Sequence, residues 1–138
     1  MNIFVDANVL ISVLNKEYPA FPFAARILSL HGKGRFQIFT SPLCLAIAYY
    51  FSEKKSGTEY ANQKLKVIYE NIRVSDIRDQ DVASTFGNKR IHDFEDGLEY
   101  YSALRGKSNL LITENTEDFY FSQIEVLRPK DFMVRYVF

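Results

Sequence analysis

Five short apolar runs, each separated from the next by a longer or more polar stretch, limit what this chain can fold into more than any other feature. They are "NIFVD" at 2–6, "FQIFT" at 36–40, "NIRVS" at 71–75, "NLLIT" at 109–113 and "IEVL" at 124–127. Between them lie segments of helical spacing, and that alternation is the signature of a parallel sheet with crossover helices. "SPLCLAIAYYFSEK" begins with Ser41 as a natural N-cap and Pro42 at the first helical position, and is almost entirely apolar. "TEYANQKLKVIYEN" and "HDFEDGLEYYSALRG" carry apolar residues at mixed three- and four-residue spacings and read as amphipathic helices, the second stopped by Gly106. Segments 17–31 and 79–87 are also expected to be helical, and the last run, "MVRYVF", to be an edge strand.

The chain has 138 residues, no internal repeat and no linker, so one domain over 1–138 is expected. Lys plus Arg equal Asp plus Glu at 17 each, which leaves no long-range field to capture a polyanion. Such a substrate would be held by local basic patches or by metal. The single cysteine, Cys44, lies in an apolar run and is expected to be a buried thiol in a reducing compartment. With no leader segment and no apolar run of spanning length, a cytoplasmic protein that avoids membranes is expected.

Chemistry gathers where strands end. In open parallel sheets ligands bind beyond the carboxyl ends of the strands. Asp6 closes the first run, although an ionised carboxylate in apolar surroundings is unfavourable by several kcal/mol unless paired. The fourth run leads directly into "ENTEDF", which holds Glu114, Asn115, Glu117 and Asp118. On the preceding helix Asp93 and Asp96 share a face, and Gly97 leaves room for a close approach. If the first and fourth strands are neighbours, Asp6, Asp96 and one of Asn115 or Asp118 converge. Carboxylates so crowded repel one another, and a hard divalent cation, magnesium or manganese, relieves the conflict. One or two such ions can hydrolyse phosphodiesters without a His or Cys nucleophile. His31 and His92 show no ligand spacing, and "GKGR" at 32–35 lacks the pattern of a phosphate loop.

"IFVDANVLIS", "DFEDGLEYYSAL" and "LLITENTEDF", in this order and spacing, resemble the landmarks of the PIN domain, and the resemblance covers essentially the whole chain. It is strongest to the small bacterial members typified by VapC toxins of toxin–antitoxin pairs. The resemblance implies an α/β fold, a three-layer α/β/α sandwich with a mainly parallel central sheet. It also implies a magnesium- or manganese-dependent endoribonuclease site with one or two ions. By position, Asp6 matches the first acid and Asp96 the acid on the late helix; Asp118 is the candidate for a further carboxylate, with Asn115 as a neutral ligand or substrate contact. The implied partners are an RNA substrate, a cognate antitoxin and a second copy of the chain.

One landmark is missing. The family usually carries a Glu in the helix after the second strand, where this chain has Ile47 or a neighbour, and Glu53 lies too far along to face the same way. A chain lacking that acid is expected to hold one ion instead of two, to hold it weakly, or to act as an RNA- or protein-binding module. Simpler roles compete for several residues: Asp6 as a helix cap, Asp93 as an acid favoured by a helix N-terminus, Asp118 as a turn cap. Asn8 and Thr113 are candidates for shaping the site. Lys89 and Arg90, which precede the helix of Asp96, are the best-placed phosphate contacts and otherwise ordinary surface charges.

Overall fold

The computed structural model describes residues 1–138. Five parallel strands, β1 (Asn2–Val5), β2 (Gln37–Thr40), β3 (Arg73–Val74), β4 (Leu110–Ile112) and β5 (Glu125–Leu127), form one sheet in the order β3-β2-β1-β4-β5. The helices are α1 (Ala7–Leu14), α2 (Phe21–Ser29), α3 (Pro42–Ser56), α4 (Thr58–Asn71), α5 (Asp79–Gly87), α6 (Phe94–Arg105) and α7 (Pro129–Tyr136), with a 3-10 turn at Thr116–Phe119. This is the expected α/β sandwich with a parallel centre. All five expected strands form, although β3 shrinks to two residues at the sheet edge.

The central strands are buried on both faces, as their continuous apolar runs require: Ile3, Phe4, Val5, Leu110, Leu111 and Ile112 are almost wholly shielded from water. Helix α3 starts as its sequence predicts, with Ser41 Oγ accepting from the Cys44 amide at 3.1 Å and Pro42 at the first helical position. Its buried stripe is Cys44, Ala48 and Ser52, all small and four residues apart, which lets the helix approach α1 closely. The bulky Tyr50 and Phe51 consequently point outward. Gly57 separates α3 from α4 at φ +91°, a conformation open to glycine and strained for other residues.

One expectation is overturned. "MVRYVF" is no edge strand; most of it lies in α7, which Pro129 opens and which buries Phe132 and Met133 on one face. The apolar positions Phe132, Met133 and Tyr136 follow helical spacing, and Phe132 seals the core edge-on to Phe36, with ring centroids 5.9 Å apart. No helix is long and apolar enough to cross a membrane.

The topology fixes where a site can form. From β1 the chain moves out through β2 to β3, then returns across the sheet to β4 on the other side of β1. The connections leaving β1 and β4 therefore diverge, which opens a crevice at their carboxyl ends.

Candidate active site between the first and fourth strands

β1 and β4 pair in the register Val5 to Ile112, and the Asp6 amide donates to the Ile112 carbonyl at 3.0 Å. Asp6 and Thr113 therefore stand side by side just past the strand ends. The Asp6 carboxylate does two things at once. Its Oδ1 accepts from the Ala7 amide at 2.6 Å, capping α1, while Oδ2 accepts from the Thr113 hydroxyl at 2.8 Å and from Asn8 Nδ2 at 3.3 Å. The capping role and the site role are thus compatible in one residue.

Asn8 and Thr113 tie the two strand ends together. Asn8 Nδ2 also donates to Thr113 Oγ1 at 2.9 Å, and Asn8 Oδ1 accepts from the Glu114 amide at 3.2 Å. Thr113 Oγ1 accepts from the Asn115 amide at 3.1 Å, so the loop that carries Asn115 and Asp118 is anchored to the same network.

Helix α6 brings its acids to this crevice. Asp93 caps it, accepting from the Asp96 amide at 3.1 Å, the helix-terminal role its position allowed. Asp96 follows, half-buried. Its carboxyl is raised to about 7, first by burial and then by the negative charges of Asp93, Asp6, Asp118 and Glu95. Asp96 therefore lies within electrostatic reach of both Asp6 and Asp118, the convergence expected from the sequence. Asp118 and Asn115 are exposed at the rim. Gly97 is required where it stands, because a Cβ there would fall 2.4 Å from Thr85 Cγ2 on α5.

The structure adds a carboxylate that the sequence reading missed. Glu99, one helical turn after Asp96, is 3% exposed and turned inward against Asp6. Burial first, and then the Asp6 charge and a hydrogen bond shared with Asp6, push its carboxyl far above the ordinary range. Its Oε2 has no hydrogen-bond partner. A signal for it existed, since Asp93, Asp96 and Glu99 form a stripe at three-residue spacing.

From α3 the side chain that reaches the cluster is Cys44. One ligand atom each from Asp6, Cys44 and Glu99 lie within 4.8 Å of one another. The expected buried thiol is there, but it faces acids: burial, Glu99 and Asp6 together raise its pKa well above the usual value. Ile47 is half-buried and packs at the core's margin, while Glu53 accepts from Tyr49 at 3.1 Å and Thr58 at 2.9 Å in the α3–α4 corner. Glu53 does not replace the missing acid.

None of the chain's four ion pairs, Arg78–Asp76, Arg105–Asp81, Arg128–Glu117 and Arg135–Glu125, reaches Asp6, Asp96, Glu99 or Asp118. Lys89 and Arg90 are exposed in the turn before α6. Arg90 donates to the Tyr120 carbonyl at 3.4 Å and accepts at its own carbonyl from the Tyr120 hydroxyl, which keeps this turn beside the loop of Asp118. His31 is structural, its Nδ1 accepting from the Ile38 amide at 2.9 Å.

Comparison with known proteins follows the same lines. Ribonuclease VapC1 of Aquifex aeolicus is 23% identical over 138 residues, covering 97% of this chain and 94% of that protein. The fold is similar to a toxin–antitoxin complex from Klebsiella pneumoniae (TM-score 0.67, 19% identity, 92% of this chain and 97% of that one). It is also similar to VapC20 of Mycobacterium tuberculosis, a sarcin–ricin loop cleaving toxin (TM-score 0.63, 14% identity, 79% of this chain and 86% of that one). The sequence profile of the PIN domain matches residues 2–117, a span that contains the β1–β4 crevice with Asp6, Asp96 and Glu99, and the chain belongs to the PIN domain family.

Proposed function

We propose that this chain is a divalent-cation-dependent endoribonuclease, the toxin of a toxin–antitoxin pair. The observation that carries the reading is the group of acids at the β1–β4 crevice, which no basic side chain neutralises. The residues fit a cation: Glu99 Oε2 is a buried oxygen without a partner, and Asp96 is held far from its ordinary value first by burial and then by negative charges that a cation would offset.

Asp6 and Asp96 would hold the ion, magnesium or manganese, with Asp118 or Asn115 completing the set from the rim. When bound, the ion supplies positive charge to a scissile phosphodiester and acidifies the water that attacks it. The protein's own part is orientation. Thr113 and Asn8 fix the Asp6 carboxylate by two donated hydrogen bonds, so that no rotamer search precedes binding. Lys89 and Arg90 stand where RNA phosphates leaving the crevice would pass.

The antitoxin partner is supported by the likeness to the Klebsiella complex, and the exposed Tyr50 and Phe51 of α3 offer it apolar surface. A homodimer, one domain over 1–138 and a cytoplasmic setting complete the proposal.

A second reading, a PIN-fold module that binds RNA or protein without cleaving, is favoured by one observation: α3 brings Cys44 and no carboxylate to the cluster. The test is magnesium and manganese binding by calorimetry, with RNA cleavage on the same preparations, for wild type and Asp6→Asn. Cleavage that falls by at least about a hundredfold in the variant, with metal binding lost, supports the nuclease. A wild type that binds no metal at millimolar concentration and cuts nothing supports the module.

A further inference from the structure

We propose that Asp6, Cys44 and Glu99 form a buried cation site of mixed oxygen and sulfur ligands that takes a thiophilic divalent ion, zinc or cobalt, in preference to magnesium. The proposal deepens the reading of Asp6 as a cation ligand and rests on it.

The three side chains come from separate elements: Asp6 from the β1–α1 junction, Cys44 from the first turn of α3 and Glu99 from the middle of α6. They are 7%, 0% and 3% exposed, respectively, and one ligand atom from each lies within 4.8 Å of the others. Tetrahedral zinc sets sulfur and oxygen ligands roughly 3.5 Å apart, so small side-chain rotations close the site. Glu99 Oε2 is the decisive atom. A buried carboxylate oxygen without a donor is destabilising, and nothing of opposite charge approaches it from α3, α6 or β1. A cation between Glu99 and Asp6 satisfies that oxygen and separates the two carboxyl groups.

Cys44 decides which cation. Magnesium demands oxygen ligands in near-ideal octahedral geometry and sheds its waters reluctantly, so a dry pocket with a sulfur on one wall suits it poorly. Thiolate and carboxylate together suit zinc or cobalt. In this chain the sulfur arrives from α3, the element that lacks the expected acid, and Glu99 restores the carboxylate from α6.

Cobalt reports sulfur ligation directly. Metal-free full-length protein is titrated with cobalt(II) and followed by near-ultraviolet absorption, then challenged with zinc and with excess magnesium. Wild type should develop a sulfur-to-cobalt charge-transfer band that zinc removes and magnesium does not. Cys44→Ser should bind without the band, and Glu99→Gln should bind cobalt at least about tenfold more weakly. Circular dichroism checks that both variants are folded, and Cys44→Ala replaces the serine variant if it is not.

The proposal is overturned if wild type binds cobalt with no charge-transfer band. It is equally overturned if Glu99→Gln binds as tightly as wild type, for then Glu99 is a neutral acid donating to Asp6. Magnesium-supported RNA cleavage that Asp6→Asn abolishes, in protein that shows no band, overturns this site and keeps the ribonuclease. A band without cleavage under any of the three ions keeps this site and overturns the ribonuclease.

Discussion

Helix α6 serves two buried acids in opposite ways. At its C-terminal end Arg105 reaches Asp81 on α5, with Nε donating at 2.9 Å and a terminal nitrogen at 3.0 Å, while the Arg78 amide donates at 2.7 Å. Burial alone would raise the Asp81 carboxyl, but these donors outweigh it and hold the group below its ordinary value. In its first half the same helix presents Asp96 and Glu99 to Asp6, and there burial wins because every neighbouring charge is negative. Asp81 is 5% exposed and Asp6 7%, so depth does not separate the two regions. The difference is an arginine. At Asp81 the fold supplies its own cation, and at the crevice no basic side chain takes that place.

The comparison breaks first at Arg105. Arg105→Met takes both side-chain donors from the buried Asp81, leaves it the Arg78 amide alone, and should lower the thermal midpoint by about 5–10 °C, measured by calorimetry at neutral pH. A midpoint unchanged within error would show that Asp81 is solvated and not paired.

A test at the junction of the two regions is Gly97→Ala. The new methyl group would meet Thr85 Cγ2 at 2.4 Å and Ile91 at 3.0 Å, and the overpacking should destabilise by about 1–3 kcal/mol in urea unfolding. Thr85→Ala in the same chain should recover part of that loss.

Acid titration sharpens the contrast, because the two regions have opposite signs. Asp96 is raised from 3.8 to about 7, so between those values the folded protein binds more protons than the unfolded chain. Its contribution to metal-free stability is therefore greatest below pH 4 and declines as pH rises to 7, by about 1–2 kcal/mol once its half exposure is discounted. Asp81, with its lowered value, contributes above the ordinary carboxylate range and loses that contribution as pH falls. Unfolding curves across pH 4–7 should fall with pH more steeply in wild type than in Asp96→Asn, which keeps the slope due to Glu99.

The smallest effect is expected at Glu99. At pH 4 its raised carboxyl is protonated in the folded protein and largely so in the unfolded chain, so Glu99→Gln there swaps one neutral group for another of the same shape. Metal-free stability at that pH should change by less than about 0.5 kcal/mol. A loss comparable to that of Arg105→Met would mean that Glu99 is ionised and held by something other than a cation.

Legibility divided along physical lines. The parallel sheet could be read because strands buried on both faces must be apolar throughout, and the start of α3 because Ser41 and Pro42 each satisfy a local rule. Asp6, Asn8 and Thr113 were legible because strand ends of a parallel sheet collect polar groups at one edge. α7 was misread as a strand because a short apolar run fits either period until something shows which face is covered.

Local periodicity and the chirality of crossovers were enough for the fold class, the five strands in chain order and the edge of the sheet where acids accumulate. Only the tertiary structure decided that Cys44 and Glu99, 55 residues apart in the chain, meet Asp6. A thiol in an apolar helix and a glutamate amid apolar residues carry no local sign of each other. Their meeting depends on how closely α3 and α6 approach the end of β1, and packing between elements far apart in the chain sets that approach.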